Sequence, residues 1–110
     1  MIYLLYGENV LASLEKVKAF ERRFRREVPH AWRLINFEDE GADEQFPANI
    51  EASLFAKKDY YIIKHASVAG EESGKQLAGL IKRWEGDDSV AVFFERDAPV
   101  KNKLFDAIKK

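Results

Sequence analysis

Phe93-Phe94-Glu95-Arg96-Asp97 sets two carboxylates at the end of an apolar run. Acids in that position hold magnesium in phosphoryl-transfer proteins, where a glycine-rich loop cradles the phosphates opposite them. The loop that would complete such a site is missing. GxxxxGK[ST] needs two glycines, a lysine to meet the phosphates and a hydroxyl for the metal. Gly7-Glu8-Asn9-Val10-Leu11 follows the first strand with one glycine and no lysine, and it puts Glu8 where a phosphate would sit. A dinucleotide GxGxxG is absent as well. Gly70-Glu71-Glu72-Ser73-Gly74-Lys75-Gln76 has three residues between its glycines instead of four, Gln76 in place of the hydroxyl, and a position after the third strand. It is expected to be a loop and a helix cap. Glu95 and Asp97 are then expected to solvate the strand end or to pair with Arg96 and Lys101.

Other chemistry is thin. There is no cysteine, hence no disulfide, thiolate ligand or thiol nucleophile. His30 and His65 are far apart in sequence and lack acids at metal-ligand spacing, so both are expected to be surface or turn residues. No serine stands in a GxSxG elbow. These patterns predict no catalytic residue, no metal site and no cofactor. One cationic run stands out, Arg22-Arg23-Phe24-Arg25-Arg26. Near the C-terminus of a helix these cations suit the helix dipole. The bland reading is a solvated face. The sharper one is phosphate contact through Arg22, Arg23 and Arg26, although the run lacks the interleaved aromatics of single-strand binders.

The segment Ser53-Leu54-Phe55-Ala56-Lys57-Lys58 carries a different kind of signal. It places two bulky apolar residues side by side at the end of an expected helix, just before the strand Tyr60–Lys64. Adjacent helical residues point about 100° apart, so one stripe cannot bury both. Phe46, Ile50 and Leu54 share a face, and Phe55 falls roughly opposite Phe46. Either Phe55 tucks under the following strand, or the Leu-Phe step is free to dock in an apolar groove of a partner. Burial of such a side chain is worth about 1.5–3 kcal/mol in either place.

The elements that would position these residues alternate regularly. Ile2–Tyr6 reads as a strand buried on both faces and stopped by Gly7. Asn9 is an expected N-cap for a helix whose apolar face is Val10, Leu14, Val17, Phe20, Phe24 and Val28, ended by Pro29. Trp32–Phe37 is a second strand and Glu38–Glu44 an acidic loop. Asp43 is expected to cap the next helix, with Pro47 in its first turn. Tyr60–Lys64 is a third strand and Ala69–Gly74 a loop. Leu77, Leu80, Ile81 and Trp84 form a helical stripe ended by Gly86. Ser89–Phe94 is a fourth strand, and Pro99 opens a short helix with Leu104, Phe105 and Ile108. The order βαβαβαβα predicts one α/β domain over residues 1–110, a parallel sheet with helices on both faces. With 46% hydrophobic and 13% aromatic residues the chain can build a core, and its near-balanced charge of −1 gives no case for wholesale nucleic-acid or membrane binding. The apolar start is too short for a leader or a membrane span, which points to the cytoplasm.

The pattern resembles the N-terminal domain of the delta subunit of bacterial DNA polymerase III, a clamp-loader subunit. The resemblance rests on Ile2-Tyr3-Leu4-Leu5-Tyr6-Gly7-Glu8, on Ser53-Leu54-Phe55-Ala56 entering an apolar strand, and on Phe94-Glu95 with Lys101-Asn102-Lys103-Leu104-Phe105 and Ile108-Lys109-Lys110. These features run in the family's order along nearly the whole chain. The resemblance implies a RecA/AAA+-like, P-loop-NTPase-like three-layer fold with a degenerate nucleotide site. It implies no enzymatic activity of its own, and Leu54 and Phe55 as anchors in an apolar pocket of the sliding clamp, the polymerase III beta subunit. Ser53, Lys57 and Lys58 would be supporting contacts, other clamp-loader subunits further partners, and DNA at most a weak or indirect one. The family's further domains, including the collar that assembles the loader, have no counterpart, so the chain is expected to be part of a longer subunit. Two other classes compete. A P-loop-type enzyme lacks its lysine. A generic doubly wound regulatory domain, such as a phosphoacceptor receiver, needs an acidic pair after the first strand and an aspartate ending a central one. Here Glu8 is the single acid and the third strand ends in Lys64-His65.

Overall fold

The computed structural model describes residues 1–6, 10–54 and 58–95. Along them run β1 (Ile2–Leu5), α1 (Val10–Glu27), β2 (Trp32–Asn36), α2 (Ala42–Leu54), β3 (Tyr60–Lys64), a 3-10 turn (Ala66–Val68), α3 (Glu71–Glu85) and β4 (Val90–Phe94). The four strands form one all-parallel sheet in the order β1-β4-β3-β2. The expected Asn9 cap and the expected closing helix with Leu104, Phe105 and Ile108 lie outside the described residues.

Alternation along the strands divides the core in two, because successive side chains point to opposite faces. On one face Ile35, Tyr61, Ile63, Ala91 and Phe93 meet Phe46 of α2 and Leu77, Leu80, Ile81 and Trp84 of α3. On the other, Ile62, Val92 and Phe94 meet Val17 and Phe24 of α1, with Leu14, Phe20 and Val28 alongside. Helices thus cover both faces, as the alternating pattern predicts. Aromatic rings bind the layers: Phe24 stands edge-on to Tyr60 at 5.6 Å, Phe37 edge-on to Phe46 at 5.2 Å, and Tyr61 tilts against Trp84 at 5.3 Å.

Several boundaries differ from expectation, each for a local reason. β1 is half-buried rather than buried on both faces, because it pairs with β4 alone and ends the described sheet; Tyr6 beyond it is exposed. α2 begins before Asp43. Gly41, at φ +81°, makes the left-handed turn that starts it, and the Gly41 carbonyl accepts from the Gln45 N–H. Pro47 therefore lies inside the helix, past its first turn, where its ring removes the N–H that would have met the Asp43 carbonyl. Asp43 caps a different helix: its Oδ1 accepts the Gly70 N–H at 2.8 Å, at the start of α3. Glu71–Gly74, expected as loop, are the first turn of α3.

One buried polar cluster ties the entry edge of the sheet together. Asp59, just before β3, is 3% exposed. Its Oδ2 accepts from Trp84 Nε1 at 2.8 Å and stands 3.9 Å from the Arg83 guanidinium. Its backbone N–H donates to Ser89 Oγ at 2.8 Å, and its carbonyl accepts from Val90 N–H. Ser89 is fully buried, and its carbonyl accepts from the Met1 amino group. The starts of β1, β3 and β4 and the end of α3 thus meet around two residues, Asp59 and Ser89. Truncating Asp59 leaves a buried indole N–H without an acceptor, a loss of about 1–3 kcal/mol. Asp59→Ala is expected to lower the unfolding free energy by that amount, read as a lower urea midpoint at an unchanged m-value, whereas Asp59→Asn, which keeps an acceptor oxygen, is expected to lose less.

Candidate functional site

In an open parallel sheet the ligand crevice lies beyond the carboxyl ends of the strands, where the strand order reverses. Here β1 connects across the sheet to β2 while the later strands step back, so the reversal falls between β1 and β4. What fills that edge is a carboxylate. The Glu95 N–H donates to the Leu5 carbonyl at 3.0 Å. Its side chain is 4% exposed and accepts twice from Ser67, from the backbone N–H at 3.1 Å and from Oγ at 2.8 Å. Glu95 was expected to solvate the strand end. It is instead buried, because the 3-10 turn after β3 offers it two donors. Both of its oxygens are engaged by the protein, and its charge opposes a phosphate at this position. The other partners considered for it, Arg96 and Lys101, and the second acid Asp97 lie outside the described residues, as do Gly7, Glu8 and Asn9.

His65 completes this edge. It was expected at the surface or in a turn; it is in a turn, but only 7% exposed. Its backbone is left-handed, φ 58° and ψ 42°, a conformation histidine adopts more readily than most non-glycine residues. The conformation holds because the His65 N–H donates to the Phe94 carbonyl at 2.9 Å and the His65 carbonyl accepts from Val68 N–H. The ring stands edge-on to Phe94 at 5.5 Å, with Nε2 3.2 Å from Glu38 Oε1. The groups at this edge are mutually paired, and the pairing joins β2, β3 and β4. His30, by contrast, is exposed. Among the described residues no three His, Cys, Asp or Glu side chains gather closely enough to hold a metal ion, and no helix is long and apolar enough to cross a membrane.

The opposite edge carries the end of α2. α2 runs antiparallel to the strands it connects, so its end at Leu54 comes to the edge where β3 enters. The side chains of Ser53 and Leu54, and Phe55 and Lys57 altogether, lie outside the described part. Lys58 is exposed, its Nζ 3.8 Å from the exposed Asp88 carboxylate. The arginines of α1 separate by role. Arg23 pairs with Glu27 at 3.0 Å and Arg26 approaches the same carboxylate at 3.8 Å, while Arg22 makes no ion pair among the described residues. Arg25 pairs with Glu21 at 2.7 Å and lies 5.5 Å over the Trp32 ring.

Sequence reading missed Asp59 and Ser67 as structural groups. The isolated acid before a β-branched strand, and the serine two residues after a strand-ending histidine, were the signals. Ser67 is exposed while its partner Glu95 is buried, so Ser67→Ala is expected to destabilise the fold by about 1 kcal/mol, measured by chemical denaturation. A catalytic or nucleotide-binding role for this edge would show instead as lost activity at unchanged stability.

No family model matches this chain, and no curated protein or solved structure is significantly similar to it.

Proposed function

We propose that this chain is the clamp-binding domain of a clamp-loader delta subunit, a RecA/AAA+-like module with a degenerate nucleotide site that grips a sliding clamp and hydrolyses no ATP itself. The observation that carries the reading is the course of α2: it runs as far as Leu54 and ends at the sheet's entry edge, where β3 begins, away from the crevice where an α/β domain would hold a nucleotide. Leu54 and Phe55 are the anchors. Ser53, Lys57 and Lys58 flank them.

Two further features support it. The nucleotide edge is occupied by a buried carboxylate, which agrees with the failed phosphate loop and weighs against a P-loop enzyme. The sheet order weighs against a phosphoacceptor receiver, whose flavodoxin-like order sets β1 between β2 and β3, whereas here β1 pairs with β4. Holding a clamp opens it only so far as the module binds the open ring better than the closed one. Energy for a full cycle would come from other subunits of the loader.

The test is surface plasmon resonance of the 110-residue chain on the sliding clamp of the same organism. Interface anchors typically cost about 2 kcal/mol or more when truncated, so Leu54→Ala/Phe55→Ala is expected to weaken binding at least about 30-fold. Circular dichroism establishes that the double variant stays folded. Absence of saturable binding by the unaltered chain, or binding that survives the folded double variant, overturns the reading.

A further inference from the structure

The charge of this chain is near zero only in sum. Between residues 16 and 33 seven lysines and arginines face two glutamates; the rest of the chain carries eleven cations against seventeen acids. The formal charge is therefore +5 over residues 16–33 and −6 over the rest of the chain. Such segregation within one domain is the electrostatic footprint of a polyanion partner, which the net value conceals.

The fold concentrates the excess further. Val17 and Phe24 turn one side of α1 into the core. Lys18, Arg22 and Arg25 recur at spacings of four and three on another side, one above the next. With Glu21 they line an open groove of about 250 Å³. Glu27 is committed to Arg23 and Arg26, and Glu21 to Arg25. Lys18 and Arg22 have no ion-pair partner among the described residues. The single acid in the groove forms an exposed pair, of the kind that contributes little and yields readily to a competing anion. The sequence run lacks an interleaved aromatic, but folding supplies one: β2 brings Trp32 beneath Arg25, with the guanidinium 5.5 Å from the ring centre. A cationic ridge beside a partly exposed aromatic is the chemistry that follows a nucleic-acid backbone.

We infer that the Lys18–Arg22–Arg25 face of α1, with Trp32 at its margin, binds the phosphodiester backbone of DNA without reading its sequence. The contact set differs from the Arg22, Arg23 and Arg26 expected from sequence, because Glu27 holds two of those three. Three phosphate contacts release about three counterions. The logarithm of the binding constant should then fall against the logarithm of salt concentration with a slope of about −2.7 for duplex and about −2 for single strands.

The experiment titrates the whole 110-residue chain into fluorescently labelled 20-nucleotide DNA, single-stranded in one arm and duplex in the other, from 25 to 200 mM salt. Saturable anisotropy changes with those slopes are expected. Lys18→Ala/Arg22→Ala should bring the slope to about −1 and weaken binding at least tenfold at the lowest salt, while Arg23→Ala/Arg26→Ala should shift the slope by less than half a unit. Circular dichroism checks that both variants are folded. Three results overturn the inference: no DNA binding at 25 mM salt, a slope that Lys18→Ala/Arg22→Ala leaves unchanged, or binding to phosphatidylserine vesicles without binding to DNA. The titration contains no clamp and leaves Leu54 and Phe55 untouched, so its failure is separate from failure of the docking reading.

Discussion

The hydrogen bond from Trp84 to Asp59 is the constraint on which the rest of this fold depends. Trp84 is the largest fully buried side chain, and it can lie at the centre of one core layer only if its indole N–H has an acceptor. A carboxylate taken into the interior to meet it needs more than one partner, or its own desolvation outweighs the gain. Arg83 is the second partner of the carboxylate, at 3.9 Å, while Ser89 Oγ accepts from the Asp59 backbone N–H. Because these groups come from the ends and beginnings of different elements, satisfying them fixes the entry edge of the sheet. The register of β3 on β4, Tyr60 beside Val90 through Lys64 beside Phe94, follows from an anchor one residue before each strand.

The exit edge is fixed by the same logic with different groups. Glu95 and Ser67 tie β4 to the turn after β3, and Glu38 and His65 tie the exit of β2 to the same turn. In a nucleotide-binding α/β domain this edge is left open and lined with N–H donors that await phosphate. Here the donors of Ser67 are spent on an internal carboxylate. The two surfaces proposed above for interaction, the end of α2 and the outer face of α1, lie away from this edge.

Legibility in the sequence tracked the range of the interactions. The elements α1, β3 and β4 were readable to within a residue or two, since one short window carries the whole signal, whereas α3 starts a turn earlier than its apolar stripe. The layers followed from their alternation. What escaped was set by contacts distant in sequence. Asp43 reads locally as a cap of its own helix, yet its acceptor serves Gly70 on another. His65 reads as a surface or turn histidine; it is in a turn, but its burial escaped because nothing near it shows that Phe94 will pack against its ring. β1 reads as fully buried because an apolar run says nothing about how many neighbours its strand will have. For the candidate site the Leu-Phe step was visible at once, whereas the division of the arginines into paired and unpaired required the geometry of Glu21 and Glu27.

The buried anchor also bears on docking. An apolar step binds a groove well only when little freedom is lost on contact, and that depends on what holds its flanks. Upstream, Phe46 is fully buried against Phe37 and fixes α2 to the sheet. Downstream, Asp59 is locked to Trp84 and Ser89 only four residues after Phe55. In the docking reading proposed above, the chain would thus be held on both sides of residues 55–57, so that less backbone freedom would be lost on contact. The core that buries Trp84 would then lower the cost of the proposed contact without Phe46 or Asp59 taking part in it.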